Sequence, residues 1–198
     1  MPHVVVIGAG AAGLMAAVFA GKAGARVTVL EHNEKPGRKI YITGKGRCNC
    51  TNDCTLEEFL REVPRNPRFL YSALSFFSPR DLIVLLEENG CPVEVQRGRR
   101  AYPASMKASD VTKTLTSLCR RYGVKILLSR QVSALLTEAA GDGPQDSDAA
   151  RHPGSPSAQG IGLPAAAAGP AVSAESSDPD APRIKGVRLS DGSVLAAD

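Results

Sequence analysis

The chain has 198 residues, of which 43% are hydrophobic and 22% charged, and its formal net charge is +4. Its length and apolar fraction suit a globular protein of one or two domains with a real core. The N-terminus has no basic segment and no long apolar run. We therefore expect neither a signal peptide nor a membrane span, and we expect a cytoplasmic location.

The first predicted unit is a strand, a glycine turn and a helix. The apolar run Val4–Ile7 leads into six candidate cofactor-binding residues, Gly8, Ala9, Gly10, Ala11, Ala12 and Gly13. Gly8 allows a sharp turn out of the strand, Gly10 allows a pyrophosphate to approach the backbone, and Gly13 allows the helix to pack closely on the sheet. The helix then points its free N–H groups and positive dipole end at the phosphates.

An acid follows the second predicted strand of this unit. Gly24 ends the helix, the apolar run Val27–Leu30 forms the strand, and Glu31 stands at its end. A carboxylate there can accept hydrogen bonds from the adenosine ribose hydroxyls, and it would repel a 2′-phosphate. The pattern predicts a site for FAD or NAD rather than NADP. The alternative is a unit of the same fold that binds no nucleotide.

A second informative segment spans residues 36–52. It contains three glycines and four cations, Arg38, Lys39, Lys45 and Arg47. Such a loop can fold back over a dinucleotide, with cations at the pyrophosphate and backbone N–H groups turned inward. It is not a Walker loop, because Gly46 rather than Ser or Thr follows Lys45. The alternative is a solvated basic loop.

The rest of the chain continues the alternation of helices and strands. The predicted elements are a short helix opened by a capping box at Thr55–Glu58, a helix from Ser78 to Gly90, strands near Pro92–Gln96 and Arg99–Tyr102, a helix from Ser109 to Tyr122, a strand over Lys125–Leu136, and a hairpin of Ile184–Leu189 and Val194–Ala197 around Asp191 and Gly192.

Residues 138–182 differ from the rest of the chain in composition. Ala, Gly, Pro and Ser dominate, so we predict a disordered insertion between a Rossmann-like domain of residues 1–137 and its return hairpin of residues 183–198. The insertion carries seven acidic residues and one arginine, so the other residues carry a net charge of +10. Nucleic acid could explain this excess, and the candidate residues are Arg97, Arg99, Arg100, Arg120 and Arg121. Anionic cofactors explain it better, because few aromatic residues accompany these arginines.

The five cysteines are expected to be free thiols. Cys48, Cys50 and Cys54 lack the paired spacing of a zinc or iron–sulfur site, so we predict no metal. Cys48 could be a redox thiol because Arg47 and Lys45 would favour its thiolate, although no CxxC partner is present. The histidines, expected at the surface, show no context of a general base: His3, His32 and His152.

Three segments together resemble one protein family. Gly8–Glu31, Gly37–Lys39 and Thr43–Asn52 are similar to the BaiN/RdsA-type NAD(P)/FAD-dependent oxidoreductases, also called aminoacetone-oxidase-like flavoproteins. The resemblance continues through residues 86–90, 97–103 and 107–111 to the strand that contains Val132, and it resumes at residues 184–198. The Thr43–Asn52 segment is far more specific than the glycine turn.

The resemblance implies an α/β fold, a Rossmann-like FAD/NAD(P)-binding domain with a parallel sheet, helices and a β-hairpin or meander crossover. It implies that the glycine turn faces the pyrophosphate of FAD and Glu31 its ribose, with further contacts from Arg38, Lys39, Gly46, Arg47, Cys48, Asn49 and the backbone of Val132. The implied chemistry is hydride transfer between NAD(P)H, flavin and a small organic acceptor or oxygen. No catalytic side chain is assigned.

Some features depart from the family pattern. Cys50 stands where an aliphatic residue is usual, the 138–182 insertion is unusual, and Asp198 falls where similar proteins continue. We therefore expect an N-terminal fragment, incomplete at its C-terminus and inactive alone. The alternatives are an NAD-binding dehydrogenase, a non-catalytic FAD- or nucleotide-binding module, and a flavin-dependent tRNA-modifying protein. The substrate, the choice between NADH and NADPH and the oligomeric state do not follow from the sequence.

Overall fold

The computed structural model describes residues 1–137 and 183–197. The predicted insertion lies outside the described residues, and the division into three segments stays a prediction. The elements in chain order are β1 (His3–Ile7), α1 (Ala11–Lys22), β2 (Arg26–Leu30), α2 (Arg38–Ile42), a 3₁₀ turn (Thr43–Gly46), β3 (Thr51–Asn52), α3 (Leu56–Arg61), α4 (Pro67–Phe76), α5 (Pro79–Glu88), β4 (Val93–Gln96), β5 (Arg100–Pro103), α6 (Ala108–Arg121), β6 (Lys125–Leu127), β7 (Val132–Thr137), β8 (Ile184–Leu189) and β9 (Val194–Ala196).

A parallel sheet with the strand order β1-β2-β6 forms the centre of the fold. β1 lies beside β2 with Val4 opposite Val27, and β2 lies beside β6 with Thr28 opposite Lys125. Parallel neighbours need a crossover, and α1 supplies the one between β1 and β2. The predicted strand, helix and strand are therefore confirmed, as is the α/β fold.

Side chains of the central sheet enter two apolar clusters. Val4 and Val6 pack with Leu14 of α1 and Leu115 of α6 in the larger cluster. Val5 belongs to a smaller cluster with residues of β8. Because alternate residues of a strand point to opposite faces, helices cover one face of the sheet and the meander β7-β8-β9 covers the other.

The meander contains the predicted hairpin. β8 pairs antiparallel with both β7 and β9. Asp191 in the β8–β9 turn accepts hydrogen bonds from the Ser193 backbone and hydroxyl, and Arg130 donates to it at 2.8 Å. This ion pair ties the hairpin to the loop that precedes β7.

The predicted strand over Lys125–Leu136 is wrong as a single element. β6 belongs to the parallel sheet and β7 to the meander. Between them Ser129 adopts a φ of +54° and donates its backbone N–H to the Asn33 carbonyl, while the Arg130 N–H donates to the Glu31 carbonyl. Contacts with the end of β2 thus turn the chain at a point that has no glycine or proline.

The predicted strands near residues 92–102 are confirmed as the antiparallel pair β4 and β5, which β3 extends into a second small sheet. The capping boxes at Thr55 and Ser78 are also present. Sequence patterns did not predict α2 or α4. The expectation that His3 lies at the surface is wrong, because His3 is buried and its Nε2 lies 3.0 Å from the Thr28 hydroxyl.

Among residues 1–137 and 183–197, one stretch, Pro67–Glu88, has the length and apolar composition of a membrane span. The backbone divides this stretch, since Phe77 and Ser78 are extended and the Ser78 capping box starts α5. The result is two helices of ten residues each. A helix of that length is too short to cross a bilayer, which needs about 20 residues.

Candidate cofactor-binding site

The glycine turn joins β1 to α1 at the carboxyl end of the parallel sheet. Gly8 has a φ of +97° and donates its N–H to the Leu30 carbonyl at 2.7 Å, which ties the turn to β2. Gly10 caps α1 without a side-chain acceptor. Because the first N–H groups of a helix have no partner within it, the groups at Ala11 and Ala12 form a site suited to an anion.

Two glycines of the turn differ in the space around them. A Cβ added to Gly13 would lie 1.9 Å from the Gly8 carbonyl oxygen and 3.3 Å from Val6 Cγ1. A Cβ added to Gly10 would meet no atom within 4 Å. Gly13 is therefore required for the packing of α1 on β1, whereas Gly10 borders open space that a ligand can enter.

Glu31 is buried beside the glycine turn, with 5% of its surface exposed. Its Oε2 accepts the Ala9 backbone N–H at 2.7 Å, and its Oε1 accepts the backbone and side-chain N–H groups of Asn33 at 2.9 and 2.6 Å. Burial acts to raise the pKa of this carboxyl, but the hydrogen bonds from Asn33 and Ala9 outweigh burial and lower it. Glu31 therefore stays ionised, and Oε2 retains a lone pair for a further donor.

We expect Glu31→Gln to lower the free energy of unfolding by about 2 kcal/mol at neutral pH. A neutral amide oxygen accepts hydrogen bonds from the surrounding N–H groups less strongly than a carboxylate does. The folded-state pKa of Glu31 is depressed. Its stabilisation is thus present above the unfolded pKa of about 4.3 and is lost as pH falls through the folded pKa. Denaturant unfolding at neutral and acidic pH should show the variant and the wild type converging in acid. If the free energies of unfolding of the two proteins differed equally at both pH values, the loss would come from the altered side-chain packing and not from the lost charge.

The following loop is anchored to the same turn. The Gly37 N–H donates to the Ala9 carbonyl at 2.7 Å, and Gly37 has a φ of +72°. Arg38 begins α2, and its guanidinium donates to the Asn33 amide oxygen at 2.9 Å. A hydrogen-bonded chain therefore runs from Arg38 through Asn33 to Glu31. Lys39 is exposed on the next position of the helix.

The predicted basic segment of residues 36–52 contains α2, the 3₁₀ turn and β3. Gly44 and Lys45 adopt left-handed conformations with φ values of +55° and +58°. The Arg47 guanidinium lies over the Tyr102 ring, 4.8 Å from its centre, and its Nε donates to the Gly44 carbonyl at 3.1 Å. This arrangement orders part of the segment instead of leaving it fully solvated. Gly46 and Asn49 are exposed, whereas Cys48 is buried.

Val132 lies at a cleft of about 270 Å³ next to the glycine turn. The residues that line the cleft are Ile7, Gly8, Leu30, His32, Arg130, Gln131 and Val132. Leu30 is buried, whereas 53% of Ile7 is exposed. The cleft offers apolar surface together with peptide groups, which suits a flat heteroaromatic ring such as adenine.

Sequence reasoning missed several residues of this site. Asn33, whose side chain forms hydrogen bonds with both Glu31 and Arg38, belongs to no recognised motif. The only signal is that an amide two residues after an acid can form a local hydrogen bond with it. Tyr102 stands 55 positions after Arg47, so no local pattern could have paired the two. Arg130 and Gln131 reach the cleft only because residues 129–130 bond to the end of β2. The cofactor-binding role of the predicted site residues itself stays a prediction.

These features define a class of protein. A parallel sheet, a glycine turn that opens a helix and an acid at the end of the second strand form a Rossmann-type domain of the kind found in flavoprotein oxidoreductases. Residues 2–150 match the family model described as the HI0933-like protein Rossmann domain. The chain belongs to this family, and the resemblance predicted from its motifs is confirmed.

Comparison with known proteins agrees with this assignment. The chain is 38% identical over 130 residues to the ribosomal RNA dihydrouridine synthase of Haemophilus influenzae, a match that covers 65% of this chain and 31% of that protein. It is 34% identical over 143 residues to the 3-dehydro-bile acid delta(4,6)-reductase of Clostridium scindens, which covers 71% of this chain and 34% of that protein. The chain thus spans about a third of the length of these relatives.

A solved structure shows the same fold. The open conformation of a flavocytochrome c3 fumarate reductase superposes with a TM-score of 0.55 at 21% sequence identity, covering 69% of this chain and 28% of that one. At this identity the likeness concerns the fold alone. It agrees with the predicted Rossmann-like architecture.

Proposed function

We propose that this chain is the FAD-binding portion of an NAD(P)/FAD-dependent oxidoreductase that works in the cytoplasm. The observation that carries the proposal is the meeting of the Glu31 carboxylate, the Ala9 N–H and the open face of Gly10 at the start of α1. An anion-binding helix terminus beside a ribose-binding acid is what a dinucleotide requires.

The residues present fit FAD. The Ala11 and Ala12 N–H groups would hold the pyrophosphate, Glu31 Oε2 would accept a ribose hydroxyl, and the Val132 cleft would hold adenine. Arg38 and Lys39 would add positive charge near the phosphates, and the Gly46–Asn49 segment would lie toward the flavin. The bound flavin supplies hydride transfer between NAD(P)H and an acceptor. The protein groups bind and orient it.

The names of the relatives narrow the class of acceptor. One is named for dihydrouridine synthesis and the other for a delta(4,6)-reductase activity, and both names describe the saturation of a carbon–carbon double bond in a ring. We propose that the protein to which this chain belongs reduces a double bond of this kind. The acceptor would be bound by parts of the relatives that this chain does not span.

A second candidate function is action on ribosomal RNA, which the name of the Haemophilus influenzae relative favours. Arg97 and Arg100 are exposed on the β4–β5 hairpin. The Arg99 guanidinium forms an ion pair with the Glu58 carboxylate at 2.7 Å, and the Arg121 guanidinium donates to the Asn89 side-chain oxygen at 2.9 Å. These two arginines of the predicted basic set therefore make contacts within the protein. Salt-dependent retention of ribosomal RNA by the purified protein tests this alternative.

Titration with FAD tests the main proposal. We expect the purified protein to show flavin absorbance or to take up added FAD, and Glu31→Ala to weaken FAD binding by about 2 kcal/mol, roughly 30-fold, through loss of a charge-assisted hydrogen bond. Glu34→Ala is the matched control, because Glu34 is an exposed acid three residues away.

Two results would contradict the proposal. One is a folded wild-type protein that takes up no FAD. The other is a Glu31→Ala variant that stays folded and binds FAD as tightly as the wild type and the Glu34→Ala control.

A further inference from the structure

Two thiols separated by one residue face each other in the basic segment. The sulfur atoms of Cys48 and Cys50 lie 3.8 Å apart, and Cys50 Sγ is also 3.5 Å from the Cys48 carbonyl oxygen. In an extended strand the Cβ atoms of alternate residues are about 6.6 Å apart, farther than the roughly 4 Å between the Cβ atoms of a disulfide. Cys48 has a φ of +62°, and this left-handed turn accompanies the close approach of the two sulfurs.

Backbone hydrogen bonds hold both cysteines in place. The Cys48 N–H donates to the Thr43 carbonyl at 3.1 Å, and the Cys50 N–H donates to the Ala101 carbonyl of β5 at 2.9 Å. The 3₁₀ turn therefore anchors one cysteine and the second sheet anchors the other. A bond of about 2.05 Å would require the sulfurs to approach by about 1.8 Å.

The two thiols differ in acidity. A hydrogen bond from the Cys50 thiol lowers the pKa of Cys48 to about 7 despite burial, whereas the same contact and burial raise the pKa of Cys50. The lower pKa of Cys48 favours it as the thiol that ionises first, which leaves Cys50 as its protonated neighbour. In the part of the chain that the structure describes, no group of three or more Cys, His, Asp or Glu side chains could hold a metal ion. A reaction between the two sulfurs is therefore a better account of the pair than metal binding.

We propose that Cys48 and Cys50 are a redox-active dithiol, which a peroxide closes to an intramolecular disulfide and a thiol reductant reopens. The Cys48 thiolate attacks a hydrogen peroxide oxygen, the O–O bond breaks, and Cys48 sulfenic acid and hydroxide form. The Cys50 sulfur then attacks the Cys48 sulfur, the S–O bond breaks and water leaves. Hydroxide takes up the proton that Cys48 released, so two thiols and one peroxide give one disulfide and two waters.

This inference goes beyond the proposed function, and its test needs no bound cofactor. The protein is treated with an equimolar amount of hydrogen peroxide, and its remaining thiols are alkylated under denaturing conditions. Trypsin cleaves after Arg47 and endoproteinase Asp-N cleaves before Asp53, so residues 48–52 form a peptide that contains Cys48 and Cys50 and excludes Cys54. We expect this peptide to lose two hydrogens and to take up no label, and dithiothreitol before alkylation to restore two labels.

Two variants sharpen the result. Cys54→Ser should leave disulfide formation unchanged. Cys50→Ala should abolish it, leave a Cys48 sulfenic acid that dimedone traps, and raise the alkylation midpoint of Cys48 from about pH 7 toward the ordinary thiol value of about 8.5. Circular dichroism verifies that both variants are folded. The proposal is overturned if the wild-type 48–52 peptide keeps two labels after peroxide, or if its oxidation joins it to a peptide with Cys54, Cys91 or Cys119.

Discussion

Gly13→Ala is expected to lower the free energy of unfolding by about 3 kcal/mol, although alanine is intrinsically favoured over glycine in a helix by about 1 kcal/mol. The new Cβ would lie 1.9 Å from the Gly8 carbonyl oxygen, which is backbone and has no rotamer to change. This overlap is removed only if α1 moves away from β1. The movement would disturb the packing of Leu14 and Ala17, which are both fully buried. Chemical denaturation followed by circular dichroism measures the loss.

This loss is a substantial fraction of the roughly 5–15 kcal/mol by which a domain is usually stable. A Gly13→Ala variant as stable as the wild type would show that α1 does not pack on β1 as the structure has it. The matched substitution is at Gly10, which is the N-cap of the same helix and has open space around its Cβ position.

Gly10→Ala should lower the free energy of unfolding by less than about 1 kcal/mol, since alanine is a poorer N-cap than glycine, and weaken FAD binding by about 2 kcal/mol, roughly 30-fold. Gly10 has φ and ψ values of −77° and −175°, which alanine adopts without strain. Its methyl group would occupy the space through which the proposed pyrophosphate approaches the first N–H groups of α1. Flavin fluorescence titration of the variant and the wild type measures the change.

The pair of variants separates folding from binding. Loss of stability at Gly13 and loss of FAD affinity at Gly10 support the two different roles of these glycines. Unchanged affinity in a folded Gly10→Ala protein would place the pyrophosphate elsewhere and would contradict the proposed site. A Gly10→Ala protein that is unstable would contradict the open space at this position.

The glycine turn shows how far local reasoning reaches. The positions of Gly8, Gly13 and Glu31 were predictable because a strand, a tight turn and a helix impose their requirements within a few residues. The capping boxes at Thr55 and Ser78 were predictable for the same reason. Each of these features is a relation between residues that are close in sequence.

The basic segment shows where local reasoning ends. Its glycines and cations indicated a loop near a dinucleotide, but the stacking of Arg47 on Tyr102 and the meeting of Cys48 with Cys50 are visible only in the structure. The left-handed conformations of Lys45 and Cys48 are unusual for residues other than glycine, and no sequence pattern marks them.

Residue patterns alone predicted the α/β alternation, the turn that opens α1, the acid after β2 and the family, because hydrophobic periodicity, caps and motif spacing are local properties of the chain. Contacts within the folded protein were needed to show that residues 125–137 form two strands in different sheets, and that Ala9 and Asn33 donate hydrogen bonds to Glu31. They also bring Val132 to the glycine turn. These outcomes depend on hydrogen bonds and burial between segments distant in sequence, and such contacts exist only once the sheet and its helices have assembled.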